Sequence, residues 1–330
     1  MGHRTGRKFA RQVQVVREQL DKEPLAFHKS LSVEVIHDAL AESKVDFRER
    51  TYTPWITIWA FLCQLRSADQ SCRFAVCQVV AYLASQGRRV CSAATSTYCE
   101  ARAHLPEAFY QYLFRRVGRQ TMEDAPRQWL FHGRQVKVVD GTTVSMPDTE
   151  ANQDEYPQAD PERPGLGFPI ARLLVIFSLA VGTVLEAAIR PYHGKATGEL
   201  AMFRELSESL QPNDIVLGDK GFCSYCHVAS VRGRSVDVVV TLNRSRLPNL
   251  ERIRTLGKND VLYCWNKPHD KPEGFTAEEF AVLPPSIDVR IVTVAVQNRG
   301  FRTKQLEIVT TLLDEEEFPP SEIAELYRRR

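Results

Sequence analysis

The stretch VKVVDGTTVSMPDT, residues 136–149, decides how this chain is read. Val136, Val138 and Val139 make a β-branched apolar strand that stops at a carboxylate, Asp140, with Gly141 and two threonines expected to turn the chain away. A carboxylate at the end of a buried strand costs several kcal/mol in desolvation unless it is paired, hydrogen-bonded or metal-bound. A second apolar run, DIVLGD from Asp214 to Asp219, closes the same way. Two strands of one sheet that each end in an aspartate are a recognisable way to hold divalent metal ions. Taken singly, a strand-end Asp is more often a turn former or a cap, so the pair carries the signal and neither member does alone.

Working outward, 330 residues exceed one typical domain and indicate two or three. Apolar content of 43% and charged content of 25% are ordinary for a globular protein that fills real cores. The net charge of +2 hides an asymmetry: residues 1–135 hold 20 Lys/Arg against 13 Asp/Glu, which leaves the remainder acidic. A basic front and an acidic back suit a polyanion-binding module joined to a metal-binding one. The eight cysteines include one CxxC, Cys223 and Cys226, with no second pair to complete a tetrahedral zinc site. The other cysteines sit in apolar or small-residue segments and read as thiols of a reducing, cytoplasmic compartment. The first residues lack a signal-peptide core, and the longest apolar run, Leu173 to Val184, is too short to span a bilayer.

In chain order, Val13, Val16 and Leu20, then Leu31, Val35 and Leu40, recur at helical spacing. Thr53-Pro54 opens a strong helix, TPWITIWAFLCQLRS, and further helices are expected over 68–85, 96–102 and 106–117. Residues 1–130 thus read as an all-helical domain. From Trp129 strands dominate, at 135–139, 170–179 and 183–191, with Gly182 at a hairpin turn. A helix over 197–210, a strand over 214–217, a helix over 224–232 and a strand over 236–242 follow. That order implies a mixed sheet flanked by helices in an α/β domain over 131–330. Residues 244–302, with prolines at 268, 272, 284 and 285, read as a β-rich insertion, after which the core resumes near Lys304. The final SEIAELYRRR begins another helix.

These residues bring a family into view. VDGTTVSMPDT, the Asn152-Gln153 and Gln158 pair of motifs, PGLGFPIARL from Pro164, GDKGFCSY from Gly218, and upstream TSTYCEARAHLP resemble the cut-and-paste DDE transposases of bacterial insertion sequences, in the family called insertion sequence four. The resemblance implies a ribonuclease-H-like core with three carboxylates, Asp, Asp and Glu, that hold two Mg²⁺ or Mn²⁺ ions for phosphodiester hydrolysis and strand transfer. Asp140 matches the first carboxylate and Asp219 the second. The third belongs to a helix motif that opens with Tyr and Arg, which Tyr327 and Arg330 match; its Glu would stand four residues beyond Arg330. The resemblance therefore implies a chain cut short before that Glu, which binds metal weakly and cleaves DNA little or not at all. Related transposases use aromatics in the insertion on flipped bases, which makes Trp265, between Tyr263 and Lys267, a candidate to stack on DNA. Lys195 beside His193 is a candidate phosphate contact, and Arg4, Arg7, Lys8 and Arg11 form a basic arm able to follow a DNA backbone. Glu199, after Thr197 and Gly198, reads as part of a helix cap. The expected partners are terminal-repeat and target DNA and a second copy of the chain. The rival reading is a non-catalytic DNA-binding protein that occupies element ends and inhibits transposition.

Overall fold

Ser32, Thr53 and Ser71 each accept a backbone N–H three residues ahead, from Val35, Ile56 and Phe74, and each starts a helix. The computed structural model describes residues 31–47, 50–159, 167–295 and 305–330, so the helical pattern at Val13, Val16 and Leu20 and the basic arm lie outside it. The chain forms two compact units, one ending at Val117 and one from Gly118 to Arg330. The first contains α1 (Val33–Glu42), α2 (Pro54–Arg66), α3 (Cys72–Ser85), α4 (Ser96–Ala103) and most of α5 (Glu107–Glu123). No strand occurs among its described residues, as the helical periodicity predicts. Ile56, Trp59, Val76, Val79, Leu83 and Tyr98 fill one cluster, and Ile36, Leu40, Ile58, Leu105, Phe109 and Leu113 fill another. The buried Tyr98 hydroxyl donates to Gln64 Oε1 at 2.7 Å, which satisfies both polar groups.

The second unit is built on one nine-stranded sheet. Its elements are β1 (Val136–Ser145), α6 (Glu150–Glu155), β2 (Ile170–Ser178), β3 (Val184–Pro191), α7 (Glu199–Leu206), β4 (Ile215–Gly218), α8 (Tyr225–Arg232) and β5 (Asp237–Thr241). Then come β6 (Leu250–Gly257), β7 (Asp260–Asn266), α9 (Ala277–Val282), β8 (Ser286–Ala295), β9 (Gln305–Thr310) and α10 (Pro320–Arg328). The strand order is β3-β2-β1-β4-β5-β9-β8-β7-β6. β1, β2 and β3 are antiparallel neighbours, whereas β4 and β5 run parallel to β1. Gly182, at φ +68°, makes the turn between β2 and β3 that a side chain would strain.

Alternation along the strands sorts the core into two faces. Val139, Val216, Val238 and Val240 pack with Met202, Phe203 and Leu206 of α7 and with Val228 and Val231 of α8. Val136, Val138, Ile215, Leu217 and Val239 pack instead with Ile323 and Leu326 of α10. The sheet is therefore covered by helices on both faces, the α/β arrangement read from the element order.

One expectation is corrected. The strand at Asp140 does not stop there: β1 continues to Ser145, because its pairing with β2 runs on from Asp140↔Val175 to Ser145↔Ile170. What ends near Asp140 is the parallel pairing with β4. Within residues 244–295, β6, β7 and β8 continue the main sheet, since β8 pairs with β9 and β9 with β5. Trp265, Phe275, Leu283, Val289 and Ile291 share the hydrophobic cluster of α7 and α8.

Candidate active site

Parallel pairing matches Val136 to Ile215, Lys137 to Val216 and Val138 to Leu217. Two residues beyond the last pair stand Asp140, still within β1, and Asp219, just past the end of β4, so both lie where the parallel pairing of these neighbouring strands ends. Alternation along β1 puts Asp140 on the face that carries Val138, the face α10 covers. After Gly218 the chain turns through a short 3₁₀ segment, Lys220–Phe222, for which Asp219 is the N-cap. Its Oδ1 accepts the Gly221 N–H at 2.7 Å, which fixes the carboxylate and leaves Oδ2 without a hydrogen-bond partner among the described residues.

Asp140 is 56% exposed, and its Oδ1 accepts from Arg330 Nη2 at 2.9 Å. Arg330, expected to face DNA, is thus brought by α10 onto the first aspartate. Tyr327 puts its hydroxyl 3.3 Å from Thr241 Oγ1 at the end of β5. Both motif residues therefore rest at the C-terminal ends of the parallel strands, where open α/β sheets place their ligands. Lys195 lies exposed in the turn between β3 and α7.

Trp265 is placed otherwise. It is 1% exposed, its ring meets Tyr225 edge-on at 5.8 Å, and its Nε1 has no hydrogen-bond partner among the described residues. A base has no access to that ring unless the core opens. The exposed-platform expectation is corrected to a packing role, since the ring fills the space between β7 and α8.

The other carboxylates in the motifs are architectural. Lys137 Nζ meets Asp214 Oδ2 at 2.6 Å, both nearly buried, which ties the start of β1 to the residue before β4. Asp237, at the start of β5, is held by Arg134 and Arg232 and by the Thr311 hydroxyl. These ion pairs lie at the N-terminal ends of the parallel strands, opposite the aspartate pair. Gln153 Nε2 donates to Asp148 Oδ1 at 2.8 Å and to the Gly167 carbonyl at 3.1 Å, while Gln158 Oε1 accepts the Gly167 N–H at 3.0 Å. The glutamines of the family motif thus brace the loop between β1 and β2.

Glu199 opens α7, and its Oε1 lies 2.5 Å from where a Cβ on Gly141 would stand, so the glycine after Asp140 leaves space for that side chain.

Among the described residues no three Asp, Glu, His or Cys side chains already converge as a finished metal cage, and no helix is long and apolar enough to cross a membrane. The donor set nevertheless fits a hard divalent cation. Asp140, within β1, is exposed, and Asp219, just past β4, keeps a free oxygen. The second unit is thus a mixed sheet with helices on both faces and an aspartate on each of two neighbouring segments where their parallel pairing ends. Residues 131–330 match the family model described as the transposase DDE domain, and the chain belongs to that family. Comparison with curated proteins gave no match.

Proposed function

We propose that this protein is a cut-and-paste transposase of the insertion-sequence-four type, with Asp140 and Asp219 as the first two carboxylates of its catalytic centre. The observation that supports the reading is the parallel pairing of β1 and β4 inside a transposase DDE domain, which runs to Val138 and Leu217, two residues before each aspartate. Asp140 and Asp219 would hold Mg²⁺ or Mn²⁺, which when bound supplies an activated oxygen nucleophile and neutralises charge on the leaving oxygen. In this proposal Arg330 balances Asp140 until a cation takes its place, and its guanidinium is then available to a DNA phosphate. The helical first unit, with the basic balance of residues 1–135, is the proposed reader of terminal repeats, and most of its affinity would be salt-dependent phosphate contact. The active assembly is proposed to be a homodimer that holds two DNA ends.

Within residues 1–330 only Asp140 and Asp219 match the family's three assigned carboxylates. A regulator that occupies the ends without cutting is the second reading, favoured by the Arg330–Asp140 contact, which fills the first aspartate with a protein cation.

The test is Mn²⁺ titration calorimetry on the full chain and on the Asp140→Asn and Asp219→Asn variants. Nicking of DNA that carries the flanks of its own gene is measured alongside. Loss of Mn²⁺ binding in both variants, with DNA binding retained, is the expected result. Equal Mn²⁺ binding by the variants and the parent would overturn the site. DNA binding without nicking in any cation would leave the regulator reading standing.

A further inference from the structure

Cys72 is the first residue of α3 and Cys99 lies within α4, and the fold brings their sulfurs into contact. Cys99 Sγ donates to Cys72 Sγ at 3.7 Å. Gln64 Nε2, on α2, donates to the same Cys72 sulfur at 3.8 Å. Cys72 therefore accepts twice, and the proton of the pair sits on Cys99. Gln64 is itself held, since its Nε2 donates to the Gln70 carbonyl at 2.8 Å and its Oε1 accepts from the buried Tyr98 hydroxyl at 2.7 Å. Tyr98 precedes Cys99 in α4, so the bond that fixes Gln64 also fixes the helix that carries the second thiol.

Both cysteines are partly buried against the cluster that holds Val76 and Tyr98, and neither is sealed from water. Other thiols are placed differently: Cys77, Cys223 and Cys226 are buried, and Cys91 lies 3.8 Å from the Tyr52 hydroxyl. Burial, and after it the hydrogen bond to Cys72, raises the Cys99 thiol above its ordinary value. Packing alone asks for small apolar side chains here and does not call for an amide donor aimed at one sulfur. Two thiols in contact are one bond short of a disulfide, whose sulfurs stand about 2.05 Å apart, and side-chain rotation closes a gap of that size.

We propose that Cys72 and Cys99 form a reversible oxidation site of the helical unit, at which a peroxide converts the thiol pair into a disulfide between α3 and α4. The Cys72 sulfur attacks one oxygen of hydrogen peroxide, the O–O bond breaks, and the other oxygen leaves as water with the Cys72 proton, so that Cys72 becomes a sulfenic acid. The Cys99 sulfur then attacks the Cys72 sulfur, the S–O bond breaks, and the hydroxyl leaves with the Cys99 proton as a second water. Each sulfur gives up one electron and each peroxide oxygen gains one. A dithiol reverses the step by exchange. In a reducing compartment the pair stays open until peroxide reaches it, which is how most intracellular disulfides behave. Once closed, the bond ties the start of α3 to α4 across the exposed Arg88 and Arg89, restricts the unfolded chain and makes the helical unit harder to melt.

The experiment treats the full chain at neutral pH with a few equivalents of hydrogen peroxide, blocks the remaining thiols and maps linked peptides by mass spectrometry. The parent is compared with Cys72→Ser, Cys99→Ser and Cys91→Ser. A Cys72–Cys99 link is expected in the parent and in Cys91→Ser, removed by dithiothreitol, with a melting transition higher than that of the reduced chain by on the order of 5 °C. Cys99→Ser should instead accumulate a sulfenic acid on Cys72 that dimedone traps, and Cys72→Ser should leave Cys99 unlinked. Oxidation of the two thiols one at a time to sulfinic acids, or a link from either of them to Cys91, would overturn the proposal. A link that forms as fast in urea would overturn it as well, because the fold would then not be pairing the thiols. A linked chain that melts no higher than the reduced one would refute the locking of the helical unit. The parent's peptide map decides the matter even where a serine variant fails to fold. It is read without metal or DNA, so its failure leaves the reading of Asp140 and Asp219 untouched.

Discussion

Replacing Arg290 by Met tests how α10 is held over the sheet. Arg290 and Asp260 are 0% and 1% exposed, on the adjacent strands β8 and β7, and Arg290 Nε meets Asp260 Oδ1 at 2.8 Å. Its Nη1 donates to the Phe318 carbonyl at 2.7 Å, in the turn that leads into α10. Methionine keeps most of the volume but leaves a buried, uncompensated carboxylate, which costs about 3–5 kcal/mol. The unsatisfied Phe318 carbonyl adds about 1 kcal/mol. The sum is a large share of the about 5–15 kcal/mol that holds a domain together. At about 2–4 °C per kcal/mol for a unit of this size, the melting temperature should fall by on the order of 10–20 °C. Urea unfolding followed by tryptophan fluorescence measures it, since buried Trp265 lies in β7, the strand that carries Asp260. The double variant Arg290→Met with Asp260→Leu should regain most of the loss, because no charge is then stranded. A single-variant cost below about 1 kcal/mol, the range of a solvated pair, would refute the claim that this pair is dry.

Other expectations are open to simpler measurements. Trp265→Ala should destabilise by about 3–5 kcal/mol through the cavity it leaves, while DNA affinity of the folded fraction stays at the parent value; a selective loss of DNA binding at full stability would restore the base-stacking role. Arg330→Gln should raise Mn²⁺ affinity up to about fivefold, because the guanidinium no longer competes for the exposed Asp140, a contact worth at most about 1 kcal/mol; weakened Mn²⁺ binding would show that Arg330 orients the carboxylate instead. Burial pushes the Cys63 and Cys77 thiols up to about 11, with Arg66 opposing the shift at Cys63. A thiol raised in the folded state contributes stability below its unfolded value of about 8.5 and loses it as pH climbs toward the folded value. Alkylation of both at pH 8 should accordingly be much slower in the native chain than in urea, and equal rates would contradict their burial.

The helical first unit was legible because its signals are local. Thr53-Pro54, Ser71 and the apolar spacing each act within one turn, and the helices begin where those residues stand. The three leading strands were legible for a similar reason, since an apolar β-branched run is read from a few neighbours. Long-range facts were not. Nothing near Asp140 told that β2 would keep pairing as far as Ser145, or that β4 would drop away after Gly218. Trp265 looked like a surface aromatic because it sits between Tyr263 and Lys267, yet burial depends on α8 and Phe275, which the local sequence does not name. That Gly141 leaves space for the Glu199 side chain was equally hidden, because the two stand far apart in the chain.

β5 takes one neighbour from β4, just before it in the chain, and the other from β9, which starts more than sixty residues later. On a ribosome that adds about 5–20 residues per second, the edge formed by Val238, Val239 and Val240 stays open for several seconds before its partner strand is made. An apolar valine edge left open that long invites pairing with any other extended chain. Yield in the cell should therefore depend on how fast the segment between β5 and β9 is translated. Synonymous codons that slow that segment would be expected to shift product into aggregates without altering a single side chain.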